Sequence, residues 1–330
     1  MKQFLQKKAK LVFLCMLVLL TCTACANPRG RDGKTLADQI IASEETTIDA
    51  SKINYKDISD KELKKEIKKN IKDGEYTIQP TTFKDSMSKG WFEGLIVWPI
   101  AQIINLISSK TDAGVGIILT TLLIQMLVFV FTRKSQMSAQ RLQEIQPEIQ
   151  KIQNKYKDKT DERSKLQMAQ EMQNLYQKYD IHPFGSMLIT FIQLPIMMGM
   201  YYATMRSVSV VSGSFMGISL AGTPLDGFKA LDIAYIAIYV LMVIFYIVSM
   251  KLPQWLKKWQ DKKDNVKVKK YAQEETNPMA NSMNMSVYFM TAMICIMYIS
   301  WPMAMSFYWL VSSVIRVCQS LILHQVMNKK

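Results

Sequence analysis

The sequence predicts an all-α, polytopic membrane protein with five transmembrane helices, a cytosolic antiparallel helical hairpin and an external amphipathic helix. Three observations predict it. Charged runs alternate with apolar runs of about twenty residues, the length a helix needs to cross a hydrocarbon core about 30 Å thick, although mean hydropathy is only +0.03. Lys and Arg concentrate in alternate loops, which is the bias that orients spans. The loop after the first span carries a heptad seam.

Composition narrows the function classes. The 330 residues are 49% hydrophobic with a formal net charge of +14. There is no zinc-finger spacing, no RRM-like aromatic motif and no basic-zipper pattern, so sequence-specific nucleic-acid recognition is not expected. Positive loops between spans explain the basic excess. Of the five cysteines, Cys15, Cys22 and Cys25 precede residue 26 and Cys295 and Cys318 fall in apolar runs, which is no disulfide framework. Walker A, HExxH and GxSxG patterns are missing and the histidines are His182 and His324, so no enzyme, metal site or cofactor is expected.

The N-terminus comes first. "MKQFLQKKAK" followed by "LVFLCMLVLL" is a basic n-region and a ten-residue apolar core, too short to span, and reads as a cleavable signal over 1–24. Small residues Thr23 and Ala24 precede Cys25 as in a bacterial lipobox, with Cys22 where leucine is usual, so Cys25 is the expected lipidation site. Two acyl chains on one cysteine satisfy the requirement for stable anchoring. An uncleaved signal anchor with an incidental cysteine is the alternative. Residues 25–90 are polar with nearly balanced charge. A Ser59 or Asp60 cap, a stripe through Leu63, Ile67 and Ile71 and a stop at Gly74 predict one short helix, its apolar face too narrow for a core, within a flexible external tether. Over 91–110, Phe92, Leu95, Ile96, Ile100, Ile103, Ile104 and Ile107 recur at helical spacing with Trp91 and Trp98, which predicts a helix along the membrane surface.

Spans follow at 113–132, 186–206, 231–250, 285–300 and 303–324. The basic stretches 133–185, 251–284 and the tail 325–330 fall inside, whereas 207–230, with Lys229 its one basic residue, falls outside. Trp301 and Pro302 form a tight external turn between the last two spans. Within 133–185, Leu142, Ile145, Ile149, Ile152 and Tyr156 step by 3, 4, 3 and 4, and Met168, Met172, Leu175 and Tyr179 repeat the pattern after "DKTDER". Two antiparallel helices satisfy that seam, Pro147 either kinking the first or marking its start.

These residues resemble a family. "GIILTTLLIQMLVFVFTRKSQMSAQRLQEIQPEIQKIQNKYKDK" and "NLYQKYDIHPFGSMLITFIQLPIMMGMYYATMR" are similar to the first span, hairpin and second span of the YidC membrane protein insertases, and "WPMAMSFYWLVSSVIRVCQSLI" to their last helix. The resemblance covers about 85–330, with "QPEI", "HPFG", "IQLPI" and "YWLVS" its specific pieces, in the form found in bacteria with one membrane. It implies five helices around a hydrophilic groove open to the cytosol and to lipid, and a protein that takes nascent membrane proteins from the ribosome, the signal recognition pathway or the Sec translocon into the bilayer. In the family the first span usually supplies a groove arginine, in a pattern like "LLIRLLLFPLT". Here "LLIQMLVFVFT" puts Gln125 at that position and Val130 at the usual proline, while Arg316 stands where a small polar residue is usual.

Gln125 is twelve residues from the outer end of its span and Arg316 thirteen from the outer end of its own, so parallel helices bring both to nearly one depth. The groove's cation is therefore expected to have moved to Arg316, with Thr120, Thr121, Thr190, Gln193, Ser286, Ser306, Ser312 and Ser313 as further wall residues. Two alternatives stay open: Arg316 lies about 12 Å from the inner end, within snorkelling range, and any serine or threonine can back-bond to its own helix. The 24 methionines suit a surface meeting varied apolar sequences, or are filler between helices. "KKWQDKKDNVKVKKY" and the basic tail suit ribosomal RNA, though membrane orientation accounts for the same charges. Two other classes remain: a solute or ion transporter, against which no inverted repeat and no partner carboxylate inside a span are found, and a passive lipoprotein scaffold.

Overall fold

The computed structural model describes residues 28–157, 159, 161–181, 183–263, 289 and 291–328. The signal segment, Cys25, His182, Ser286, most of the 251–284 loop and the start of the 285–300 span lie outside the described residues. The chain divides into two compact units. The first comprises the chain up to Thr120 with Gln193–Asp226 and Pro302–Tyr308, and the second Thr121–Ile192, Gly227–Trp301 and the chain from Trp309.

In the first unit, residues 28–90 fold, which corrects the expected tether. Short strands β1 (Thr35–Leu36) and β3 (Ile53–Asn54) pair in parallel, and β2 (Thr46–Asp49) and β4 (Glu75–Ile78) pair antiparallel with Thr46 opposite Ile78. Helix α1 (Lys61–Asn70) starts on Asp60, whose carboxylate accepts from the Glu62 and Leu63 amides. Its apolar stripe is narrow, as the sequence implies, but sufficient: Ile67 is buried against Ile40, Ile48, Ile53, Ile58 and Ile78, with Val208 and Val211 from far along the chain. Strands a few residues long supply the wall that the helix alone lacks.

Helix α2 (Phe83–Lys89) opens with a capping box between Thr82 and Asp85 and ends at Gly90. One π-helical turn, Glu93–Val97, runs without a break into α3 (Trp98–Ser108), with Pro99 its second residue. Val97, Ile100, Ala101, Ile104 and Asn105 are its buried side, whereas Leu95 and Leu106 are exposed, so part of the expected apolar stripe faces outward. Further along the chain come α8 (Val208–Ser212), the two-stranded ribbon β5 (Ser214–Phe215) and β6 (Ile218–Ser219), and α9 (Pro224–Ala230).

Three helices among the described residues are long and apolar enough to cross a bilayer: α4 (Ala113–Glu144), α10 (Ile233–Lys263) and α11 (Met303–Asn328). α7 (Pro183–Arg206) runs through Pro195, and residues 291–298 are helical. The helices run further than the expected spans 113–132 and 231–250. At about 1.5 Å per residue the 32-residue α4 is about 48 Å long and the 31-residue α10 about 46 Å, so both continue well beyond a bilayer core.

α4 breaks at Ile145, and Pro147 lies in the first turn of α5 (Gln146–Lys155), marking a start and not a kink. Helix α6 (Glu162–Lys178) is capped by Asp161. Tyr179 donates to Glu148 at 2.5 Å and Tyr156 to Glu171 at 2.9 Å. Moving eight residues forward on α5 thus goes with eight back on α6, an antiparallel pairing, and Ile145, Ile149, Leu175 and Ile181 are buried between them.

Candidate functional site

Polar side chains are costly to bury among apolar helices unless they are hydrogen-bonded. The second unit buries a group of them. Thr121 and Gln125 on α4, four residues apart, share a face, and Ser312 and Ser313 lie on α11. Gln125 is 5% exposed and its Nε2 donates to Ser312 Oγ at 3.1 Å, which joins α4 to α11 through a glutamine and a serine.

Arg316 is one turn further along α11. Its Nη2 donates to Ser313 Oγ at 3.1 Å, and its guanidinium carbon lies 5.6 Å from the Trp309 ring centroid. Residues 309, 313 and 316 are spaced i, i+4, i+7, which puts them on one helix face. Trp309 is itself stacked on Tyr298 with centroids 4.9 Å apart and meets Tyr246 edge-on at 6.2 Å. The guanidinium is therefore seated on an aromatic cluster of the second unit. A cation over a tryptophan face gains about 0.5–1 kcal/mol in water and about 2 or more when desolvated, which offsets part of its burial. Trp309 and Tyr246 were not among the expected site residues. The i, i+7 spacing of Trp309 and Arg316 was the available signal; Tyr246 had none.

Other expected residues divide between the two units. Gln193 belongs to the first, where its Nε2 donates to Tyr308 Oη at 3.2 Å. Ser306 is buried there too, as is Thr120, whose hydroxyl has no hydrogen-bond partner among the described residues. Thr190 lies on α7 in the second unit.

The first unit buries an arginine that no local sequence pattern marks. Arg206, 5% exposed at the end of α7, pairs with Glu93 of the π turn and packs on the Tyr202 ring, its guanidinium carbon 5.3 Å from the centroid. Beside it Asn105 donates to the Ile41 carbonyl at 2.8 Å and accepts from Ser207 Oγ at 2.6 Å and the Ser209 amide at 3.2 Å. Ile41 also bridges the chain after α7, its amide bonding to the Arg206 carbonyl and its carbonyl to the Val208 amide. Gly199 permits the close approach of α7, since a Cβ there would lie 2.5 Å from Ile96. Burial pushes the nearby Lys89 ammonium below its usual range.

Among the described residues no cluster of three metal-ligating side chains occurs, and nothing in this arrangement is an acid–base or nucleophilic pair. What it offers is a buried polar patch with a fixed cation at its edge. Comparison with known proteins gives this a context. A family model described as 60Kd inner membrane protein matches residues 105–330. The chain is 31% identical over 237 residues to the Enterococcus faecalis membrane protein insertase YidC, covering 72% of this chain and 76% of that protein. It is 30% identical to the Streptococcus pyogenes membrane protein insertase YidC 1, covering 72% and 75%. Bacillus subtilis membrane protein insertase MisCA is 28% identical over 238 residues, covering 72% and 80%.

Proposed function

Because the chain belongs to the YidC and 60Kd inner membrane protein family, we propose that it is a membrane protein insertase, receiving nascent membrane proteins and releasing them into the bilayer. Membership of that family carries this conclusion. The alternative of a solute or ion transporter has no support among the relatives.

The mechanism proposed here has five spans around a hydrophilic groove that opens to the cytosol and to lipid. Gln125, Thr121, Thr190, Ser312 and Ser313 line it, Gln193 continues the wall one turn beyond Thr190, and Arg316 is its cation. Moving a polar tail through hydrocarbon stalls on desolvation, since each unpaired polar group costs several kcal/mol there. A wet groove reaching mid-depth shortens that path. A cation at its edge attracts acidic residues in the arriving tail, more strongly than at the surface because the setting is less polar. An outside-positive potential then favours outward passage of each negative charge by about 2.3 kcal/mol per 100 mV. Partition of the client's apolar helix into lipid completes the step, each Leu or Ile contributing about 0.3–0.6 kcal/mol. No nucleotide enters.

The hydrogen bond between Gln125 and Ser312 and the seat of Arg316 on Trp309 support this reading. They turn both residues toward protein partners. In the same proposal the 1–24 signal is cleaved and Cys25 is diacylated, 26–112 is external, the 133–185 hairpin and the tail are cytosolic, and ribosome, signal recognition pathway and Sec translocon deliver clients. Crosslinking a nascent single-span protein to probes at 125, 193 and 316 tests it, contact at all three being expected. An acidic-tailed client inserted at wild-type rate and yield by both Arg316→Ala and Gln125→Ala variants would refute the relocated cation.

A further inference from the structure

We infer that the last turns of α10, residues 251–263, form a tryptophan and lysine face that binds anionic phospholipid headgroups of the leaflet at which this helix ends. At 3.6 residues per turn, Lys251, Trp255, Lys258, Trp259 and Lys262 fall within a sector about 100° wide. Trp255 is 50% and Trp259 59% exposed, and Lys258 and Lys262 are exposed beside them. The helix's rotation is set from the other side, where Lys257 donates to the Gln143 and Glu144 carbonyls at the end of α4, at 3.1 and 2.5 Å. The tryptophan face is thus turned away from the hairpin.

This face continues a stripe that must already meet lipid. Val240, Ile244 and Ile247, exposed within the apolar part of the same helix, project into the same sector as Lys258, Lys262 and Trp255. Twenty residues from Ile233 cross a bilayer core, so Trp255 lies about 4 Å and Trp259 about 10 Å beyond it, at the level of the headgroups or just outside them. Tryptophan prefers that interface, and lysines within it attract anionic lipid. Lys263 lies over the Trp259 ring at 5.6 Å, which keeps another cation on the patch. RNA also binds lysine and aromatic surfaces, but an RNA site has no reason to extend a lipid-facing stripe in register.

The test uses the full chain in vesicles of phosphatidylcholine holding a minor fraction of either phosphatidylglycerol or phosphatidylcholine brominated near the headgroup. The fluorescence of Trp255 and Trp259 is taken as the difference between the wild type and a Trp255→Phe, Trp259→Phe variant. Brominated phosphatidylglycerol should quench that difference at lower mole fraction than brominated phosphatidylcholine, and the preference should fall by about fivefold for each lysine removed in Lys251→Gln, Lys258→Gln and Lys262→Gln. A second readout, the fraction of spin-labelled phosphatidylglycerol immobilised by the wild type and by each lysine variant, needs no phenylalanine variant. Equal quenching by the two lipids overturns the inference. So does weakened ribosome binding by the lysine variants with their lipid preference unchanged, which would make the face an RNA surface.

Discussion

Two arginines in apolar surroundings are handled differently by the two units. Arg206 in the first is closed off: it pairs with Glu93, packs on Tyr202 and is 5% exposed. Arg316 in the second is half-buried, resting on Trp309 with Ser313 as a hydrogen-bond partner. A carboxylate neutralises a guanidinium and spends its electrostatic field locally. An aromatic face and a hydroxyl lower the cost of burying the charge without cancelling it. The first arrangement suits a structural clamp, and the second a cation that acts on a passing chain.

The largest effect should come from Glu93. Its replacement by alanine strands the Arg206 charge in a buried site, and loss of one member of such a pair typically costs about 3–5 kcal/mol. Unfolding of the full chain in detergent measures it, and a Glu93→Gln, Arg206→Leu double variant should recover most of the loss. Recovery by Glu93→Gln alone would erase the contrast between the two arginines. Asn105→Ala comes next: it takes the partner from the Ser207 hydroxyl and the Ser209 amide and one of two donors from the Ile41 carbonyl, at about 1–3 kcal/mol. Protease sensitivity of residues 28–110 should rise in parallel.

Smaller effects sharpen the other side. Trp309→Leu should weaken insertion of an acidic-tailed client by an amount corresponding to about 0.5–2 kcal/mol, and should have little further effect in an Arg316→Gln background. Additive losses would show that Trp309 acts independently of the cation. Gln125→Leu should cost only about 0.6–1.7 kcal/mol of stability, the range for hydrogen bonds between membrane helices. The last prediction concerns pH. Asp57 is held below the usual carboxylate range by the Arg31 amide and then Asn54, and Asp49 by Ser51. A lowered folded pKa contributes stability above the unfolded value and loses it as pH falls through the folded one. Acid should therefore loosen residues 28–90 before it affects the apolar helices, as proteolysis at stepwise lower pH would report.

Some of this was legible in the chain. Asp60 capping α1 and the heptad residues packing α5 on α6 follow from short-range spacing. Span ends were less so, because helices do not stop where hydrocarbon does. α4 and α10 run on through charged residues that are as helix-compatible as the apolar ones before them. At the candidate site, Gln125 and Arg316 stood out as polar residues in apolar runs, whereas Trp309 and Tyr246 did not, since an aromatic residue in a span is ordinary.

The sequence by itself determined the membrane class, the helical hairpin and the residues that lipid would reject, because each follows from the period or length of a local run. Tertiary structure alone decided that residues 28–90 fold, that Glu93 meets Arg206 and that Asn105 joins Ile41 to Ser207. The contacts of Glu93 and Asn105 join residues more than sixty positions apart, and the strands that order 28–90 are two to four residues long. No local pattern encodes such pairings. They form only when distant segments offer each other the partner that neither has nearby.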